Sequence, residues 1–141
     1  MKESVAIVTG ASQGIGRATA IRFAKDFSGV VLAARDGKAL EETAGEVKAN
    51  GADPLTAALD LRSKESAETL VKHTLDRFGR IDALVNIAGA VPQIDLFEMT
   101  DAQWQDGLEL KFHGARRLTI LVGTRLKLPR DRLFSCPGVP L

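Results

Sequence analysis

Residues 9–16 read TGASQGIG. Gly10, Gly14 and Gly16 stand at a spacing that lets a chain turn tightly and brings backbone N–H groups close to a bound group. The turn follows an apolar β-branched run, SVAIVT over 4–9, and precedes a helical pattern that starts at Gly14. A pyrophosphate at such a turn would sit at the positive end of the helix. Glycines at this spacing also serve ordinary strand-to-helix turns, so the pattern is weak when it stands alone. Three further stretches accompany it, each at the end of an apolar strand-like run: AAR at 33–35, LDL at 59–61 and NIAG at 86–89.

The elements that must position these stretches follow from periodicity. GIGRATAIRFAKDF, 14–27, carries Ile15, Ala18, Ile21, Ala24 and Phe27 at helical spacing, and Gly29 breaks the pattern before a second strand at 30–34. A charged helix over 38–50 closes at Gly51, and a third strand is expected at 54–59. Ala67, Leu70, Val71, Thr74, Leu75 and Phe78 form an amphipathic stripe ended by Gly79, before a fourth strand within DALVNIAG, 82–89. A last helix is expected from Thr100, where TDAQ reads as a capping box with Gln103, and it runs through Trp104, Leu108 and Phe112, with Trp104 read as helix packing rather than as a stacking platform. Strand and helix alternate four times, which predicts an α/β fold. Parallel neighbours need crossovers of one hand, so a doubly wound parallel sheet with helices on both faces is expected.

Bulk composition narrows the chemistry. The chain has 141 residues, 45% hydrophobic and 26% charged, the make-up of one globular domain. Nineteen basic against eighteen acidic residues give a net charge of +1, so no basic field points to nucleic acid or to an anionic membrane. The single cysteine, Cys136, excludes a disulfide framework within the chain and a zinc site built on cysteines. Neither His73 nor His113 has an acidic or cysteine partner at metal-ligand spacing. MKESVAIV runs into a strand with no secretory hydrophobic region, and no apolar run approaches a membrane span, so a cytoplasmic protein is expected.

The T-G-x-x-x-G-x-G turn, AAR, LDL and NIAG together resemble the short-chain dehydrogenase/reductase family, over residues 4 to about 120. The resemblance implies an α/β, Rossmann-like doubly wound parallel sheet, incomplete, with strand order 3-2-1-4, and an oxidoreductase that moves hydride between a nicotinamide cofactor and a carbonyl or secondary alcohol. It implies that Gly10, Gly14 and Gly16 shape a phosphate turn lined by Ser12, Gln13 and Ile15. Asp60 and Leu61 would hold the adenine, and Asn86, Ala88 and Gly89 would lie along the nicotinamide-side ribose. Asp60 could equally cap the helix that starts near Ser63, and Asn86 could be a strand-end amide. Where a carboxylate would bind the ribose hydroxyls of NAD(H), Ala34 stands instead, followed by Arg35, and this favours NADP(H) over NAD(H). The competing reading makes Arg35 a solvated charge paired with Asp36 or Glu41. A homo-oligomer is implied for the full-length form only.

The family's proton chemistry uses a Ser, a Tyr-x-x-x-Lys pair and an Asn on the fourth helix. The chain contains no tyrosine, and LELKFHG, 108–114, offers Lys111 where the Asn belongs. The expected organisation is an NADP(H)-binding half-domain over 1–120 and an aberrant tail over 121–141. The family continues with a strand of the type G-x-V-V-x-x-S. Codons for Arg130 to Val139 read from their third base permit Gly-Ser-Val-Val-Phe-Leu-Ser-Gly-x-Ala, so PRDRLFSCPGVPL is expected to be an out-of-frame strand. These residues without the Ser, Tyr and Lys are expected to be inactive, and the alternative is a non-catalytic dinucleotide-binding or interaction module.

Overall fold

The computed structural model describes residues 3–90 and 93–126. Four parallel strands form one sheet: β1 is Val5–Thr9, β2 Gly29–Ala34, β3 Asp53–Ala58 and β4 Ala83–Val85. Their order is β3-β2-β1-β4, as the family resemblance implies. The connecting helices are α1 (Gly14–Phe23), α2 (Gly37–Ala49) and α3 (Lys64–Phe78). After β4 come α4 (Asp101–Leu108), a π-helical segment (Glu109–Gly114) and α5 (Ala115–Gly123). The helix that includes α5 thus runs through residue 120, and Leu126 packs against the core beyond it. Residues 127–141, on which the out-of-frame reading falls, lie outside the described residues.

Both faces of the sheet are covered, and this is why the strands read as continuous apolar runs rather than alternating ones. Val5 and Ile7 of β1 with Val31 and Ala33 of β2 face α3 and α5, where Leu70, Leu118 and Val122 meet them. Val8 with Val30 and Leu32 faces α1 and α2, against Ala20, Leu40 and Val47. Ile7, Leu32, Leu40, Leu70 and Leu118 are fully buried. Each such aliphatic side chain stabilises the fold by about 1.5–3 kcal/mol relative to exposure. The edge where β1 begins is fixed by Asp82: its Oδ2 accepts from the Val5 N–H at 2.8 Å, and Arg80 donates to both of its oxygens at 2.6 and 2.8 Å.

Three elements differ from the periodicity reading, and the first is α1, which ends at Phe23 rather than running to Phe27. β4 has three residues, not the longer run expected within DALVNIAG, because NIAG leaves the sheet to be held by a side chain of β1, described below. Trp104, expected to pack the last helix, is 56% exposed, and α4 has no buried residue. The capping box at Thr100 and Gln103 forms as read, so the helix start is local chemistry and needs no tertiary support.

Candidate active-site cleft

At the carboxyl ends of β1, β2 and β4 lies a cleft of about 630 Å³. Its floor is the glycine turn. Gly10 has φ +70°, and a Cβ there would stand 2.9 Å from the Ala88 nitrogen, so only glycine lets the NIAG segment close over β1. Gly16 admits the turn itself: a Cβ would lie 1.9 Å from the Gly10 carbonyl oxygen. Gly14 differs from both, with φ +54° and nothing within 4 Å of a Cβ, so its bare backbone faces open space. Ser12, Gln13, Ile15 and Ala34 join these glycines in lining the cleft, and Ile15 is 76% exposed.

The N-terminus of α1 opens into this space without any protein group to satisfy it. Gln13 occupies the cap position with no side-chain hydrogen bond, and the first turn holds no acidic residue. Asp36 Oδ1 accepts from the Ala39 N–H of α2 at 3.0 Å and α4 has its capping box, while α3 shares with α1 the lack of a side-chain cap but carries Glu65 in its first turn. The N–H groups and positive helix end of α1 therefore face the cleft without a side-chain cap or an acidic neighbour in the first turn.

The far wall is tied to β1 by Thr9, which is 1% exposed. Its hydroxyl accepts from the N–H groups of Ile87 at 3.0 Å and Ala88 at 3.1 Å, and donates to the Val85 carbonyl at 3.4 Å. This residue was not singled out from the sequence. Its signal in the sequence is its place as the first residue of the T-G-x-x-x-G-x-G turn, between the apolar strand and Gly10. Ala88 and Gly89 line the cleft beside Ile87 and Ala90. Asn86 is not among the lining residues, and its Nδ2 donates to Thr119 Oγ1 on α5 at 3.0 Å.

Asp60 and Leu61 bound the third side. Asp60 is not the cap residue of α3, a position held by Ser63; its Oδ1 accepts from the Arg62 N–H at 3.0 Å. Leu61 is 5% exposed and belongs to the core, where the carbonyl oxygen of this residue would be 2.6 Å from a Cβ on Gly114. The π-helical segment therefore seats directly on the loop that follows β3. Arg117 of α5 donates to Glu109 and to the Arg62 carbonyl, and holds the Glu109 carboxyl below the usual carboxylate range.

Cations are unevenly committed around the cleft. Arg17, on α1, hydrogen-bonds Glu46, which raises its pKa, and lies 3.8 Å from Glu42. Arg35 lines the cleft, is exposed, and has no ion pair or hydrogen bond among the described residues. Both acids that could have neutralised it are otherwise placed: Asp36 caps α2, and Glu41 accepts from Thr56 Oγ1 at 2.7 Å. Among the described residues no cluster could hold a metal ion, and no helix is long and apolar enough to cross a membrane.

Residues 4–131 match the profile of the family described as short chain dehydrogenase. A 3-oxoacyl-[acyl-carrier-protein] reductase of Synechocystis is 38% identical over 137 residues, covering 96% of this chain and 56% of the relative. L-sorbose reductase of Gluconobacter frateurii, solved with NADPH and L-sorbose, superposes with a TM-score of 0.80 at 35% identity, over 86% of this chain and 47% of that one. An NAD+-bound xylitol dehydrogenase superposes with a TM-score of 0.81 at 28% identity, over 86% and 47%. The chain spans about half the length of the curated relatives it matches, 46% and 56% in two of them.

Proposed function

Because the chain belongs to the short-chain dehydrogenase family, we propose that its cleft binds a nicotinamide dinucleotide, NADP(H) in preference to NAD(H). In this reading it is the cofactor-holding part of an oxidoreductase that acts on a carbonyl or a secondary alcohol. The observation that carries the reading is the uncapped α1 N-terminus opening onto a glycine turn, with the unpaired Arg35 at the cleft's side. A cofactor pyrophosphate satisfies the α1 N–H groups, and a 2′-phosphate satisfies Arg35. Ala34 offers no carboxylate to the ribose hydroxyls that NAD(H) presents, and Asp36 is committed to its cap. Relatives of known structure bind either cofactor, so the preference rests on these residues and not on kinship.

When bound, the nicotinamide supplies or accepts hydride. The protein's own part is positional. Thr9 holds the far wall to β1, Gly10 lets that wall come close, and Asp60 with Leu61 bounds the opposite side. Proton transfer at the substrate oxygen needs an acid near neutrality, and the 141 residues contain no tyrosine to serve as one. These residues by themselves are thus proposed to hold cofactor without turnover, acting in the cytoplasm. Catalysis, the substrate and assembly into a homo-oligomer belong to the full-length form in the same proposal.

The test is calorimetric titration of NADPH and NADH into the chain and into Arg35→Ala. Loss of a charge-assisted contact of about 1.5–3 kcal/mol lowers NADPH affinity about 10- to 100-fold and leaves NADH binding unchanged. Equal affinity for the two cofactors, or an equal loss of both in Arg35→Ala, refutes the preference. Steady oxidation of NADPH with a carbonyl substrate by these residues alone refutes the absence of turnover.

A further inference from the structure

We propose, resting on the dinucleotide reading above, that Lys111 is a cofactor-binding residue whose ammonium holds the phosphate on the nicotinamide-side half of the dinucleotide. Its stem lies across Gly89, which lines the cleft: a Cβ on Gly89 would meet Lys111 Cδ at 2.6 Å and Nζ at 3.0 Å. The absence of a side chain at Gly89 is therefore what lets the lysine lie there.

The wall it joins is poor in donors. The side chains of Ile87, Ala88, Ala90 and Leu110 are apolar, and all four residues line the cleft. The N–H groups of Ile87 and Ala88 are both taken by the Thr9 hydroxyl, and the Asn86 amide donates to Thr119. An anionic oxygen brought to this wall finds one side-chain donor beside Gly89 among the described residues, and it is Lys111. The lysine has no carboxylate or hydrogen-bond partner among the described residues. Of the other cations of this region, Arg117 pairs with Glu109, and Arg62 lies 3.9 and 3.6 Å from Asp60 and Asp106 with its Nε buried and without a hydrogen-bond partner among the described residues.

Backbone geometry also favours a role for this position. Lys111 lies on the π-helical segment between α4 and α5, and such single π turns inside helices frequently mark functional sites because the inserted residue re-aims its neighbours. Here the segment buries Leu110 and Gly114 while leaving Lys111 exposed beside Gly89. Lys111 is not itself among the lining residues and meets the cleft only at Gly89; with Arg35 on the β2 side, an uncommitted cation stands at each of two places on its border, which suits a ligand that carries phosphate on both halves.

The experiment titrates NADPH and adenosine 2′,5′-bisphosphate, which lacks the nicotinamide-side half, into the chain, Lys111→Met and Lys111→Arg. Lys111→Met is expected to bind NADPH about fivefold more weakly and to bind the bisphosphate unchanged. Lys111→Arg, which restores the charge, is expected to recover most of the loss. Because Lys111 is exposed, the thermal melt of Lys111→Met should match that of the parent and so exclude unfolding as the cause. Unchanged NADPH binding in Lys111→Met, or a parallel loss of both ligands, overturns the proposal. A parent chain that binds neither ligand overturns the dinucleotide reading itself, and the role of Lys111 with it.

Discussion

Replacing Thr9 with valine removes one oxygen and keeps the shape of a side chain that is 1% exposed. The hydroxyl accepts from two backbone N–H groups, Ile87 at 3.0 Å and Ala88 at 3.1 Å. Its donated bond to Val85, at 3.4 Å, is too long to contribute much. Leaving a buried donor without a partner costs about 1–3 kcal/mol. Ile87 and Ala88 are half-buried, so water can reach them in part and about 1–1.5 kcal/mol of that range applies to each. The sum is about 2–3 kcal/mol, a large fraction of the 5–15 kcal/mol typical of a domain. With a urea dependence of about 1.5 kcal/mol per molar, the unfolding midpoint falls by about 1.5–2 M. Thr9→Ser is the control, because it keeps the hydroxyl and loses only a methyl group worth about 0.8 kcal/mol. Urea denaturation followed by Trp104 fluorescence and by far-ultraviolet dichroism reads both variants. A Thr9→Val variant no less stable than Thr9→Ser refutes the staple and removes the reason that NIAG leaves the sheet after Val85. The same variant should weaken dinucleotide binding, since it frees the far wall.

The glycine turn and the acid limb supply further tests. Gly14→Ala should cost about 1–2 kcal/mol for its left-handed backbone yet weaken NADPH binding, because its Cβ enters open space on the ligand side. Gly16→Ala should lose about 3 kcal/mol or more along with all binding, since its Cβ would overlap the Gly10 carbonyl; equal stability in the two variants, read by urea midpoints, contradicts this division of roles. Glu109 is held below the usual glutamate range, first by its hydrogen bond from Arg117. Its stabilising effect is therefore present above the unfolded value of about 4.3 and is lost as pH falls through the lowered folded value. Melting temperature should decline between about pH 5 and pH 3 more steeply in the parent than in Glu109→Gln, and parallel curves refute the linkage.

What could be read from the residues was whatever is encoded locally. Apolar runs of β-branched residues, helical spacing, terminal glycines and the Thr100 capping box specify their elements through interactions spanning a few residues, whereas the sheet order came from the family resemblance and not from the alternation. The glycine turn was legible for the same reason, since Gly10, Gly14 and Gly16 lie within one strand-to-helix connection. Periodicity alone mistook Trp104, because it reports that a helix has an apolar side and not whether another element covers it. It also overextended β4, because a strand's length depends on partners elsewhere in the chain. Only the tertiary structure decided which hydroxyl ties residue 9 to residues 87 and 88, which helix start is left uncapped, and which cations stay free. Each of these depends on which groups far apart in sequence come within hydrogen-bonding distance, and spacing along the chain does not encode that. Arg35 shows the division: its type and place raised either a phosphate contact or a surface ion pair, and the folding of Asp36 onto α2 and Glu41 onto Thr56 left it unpaired on the cleft.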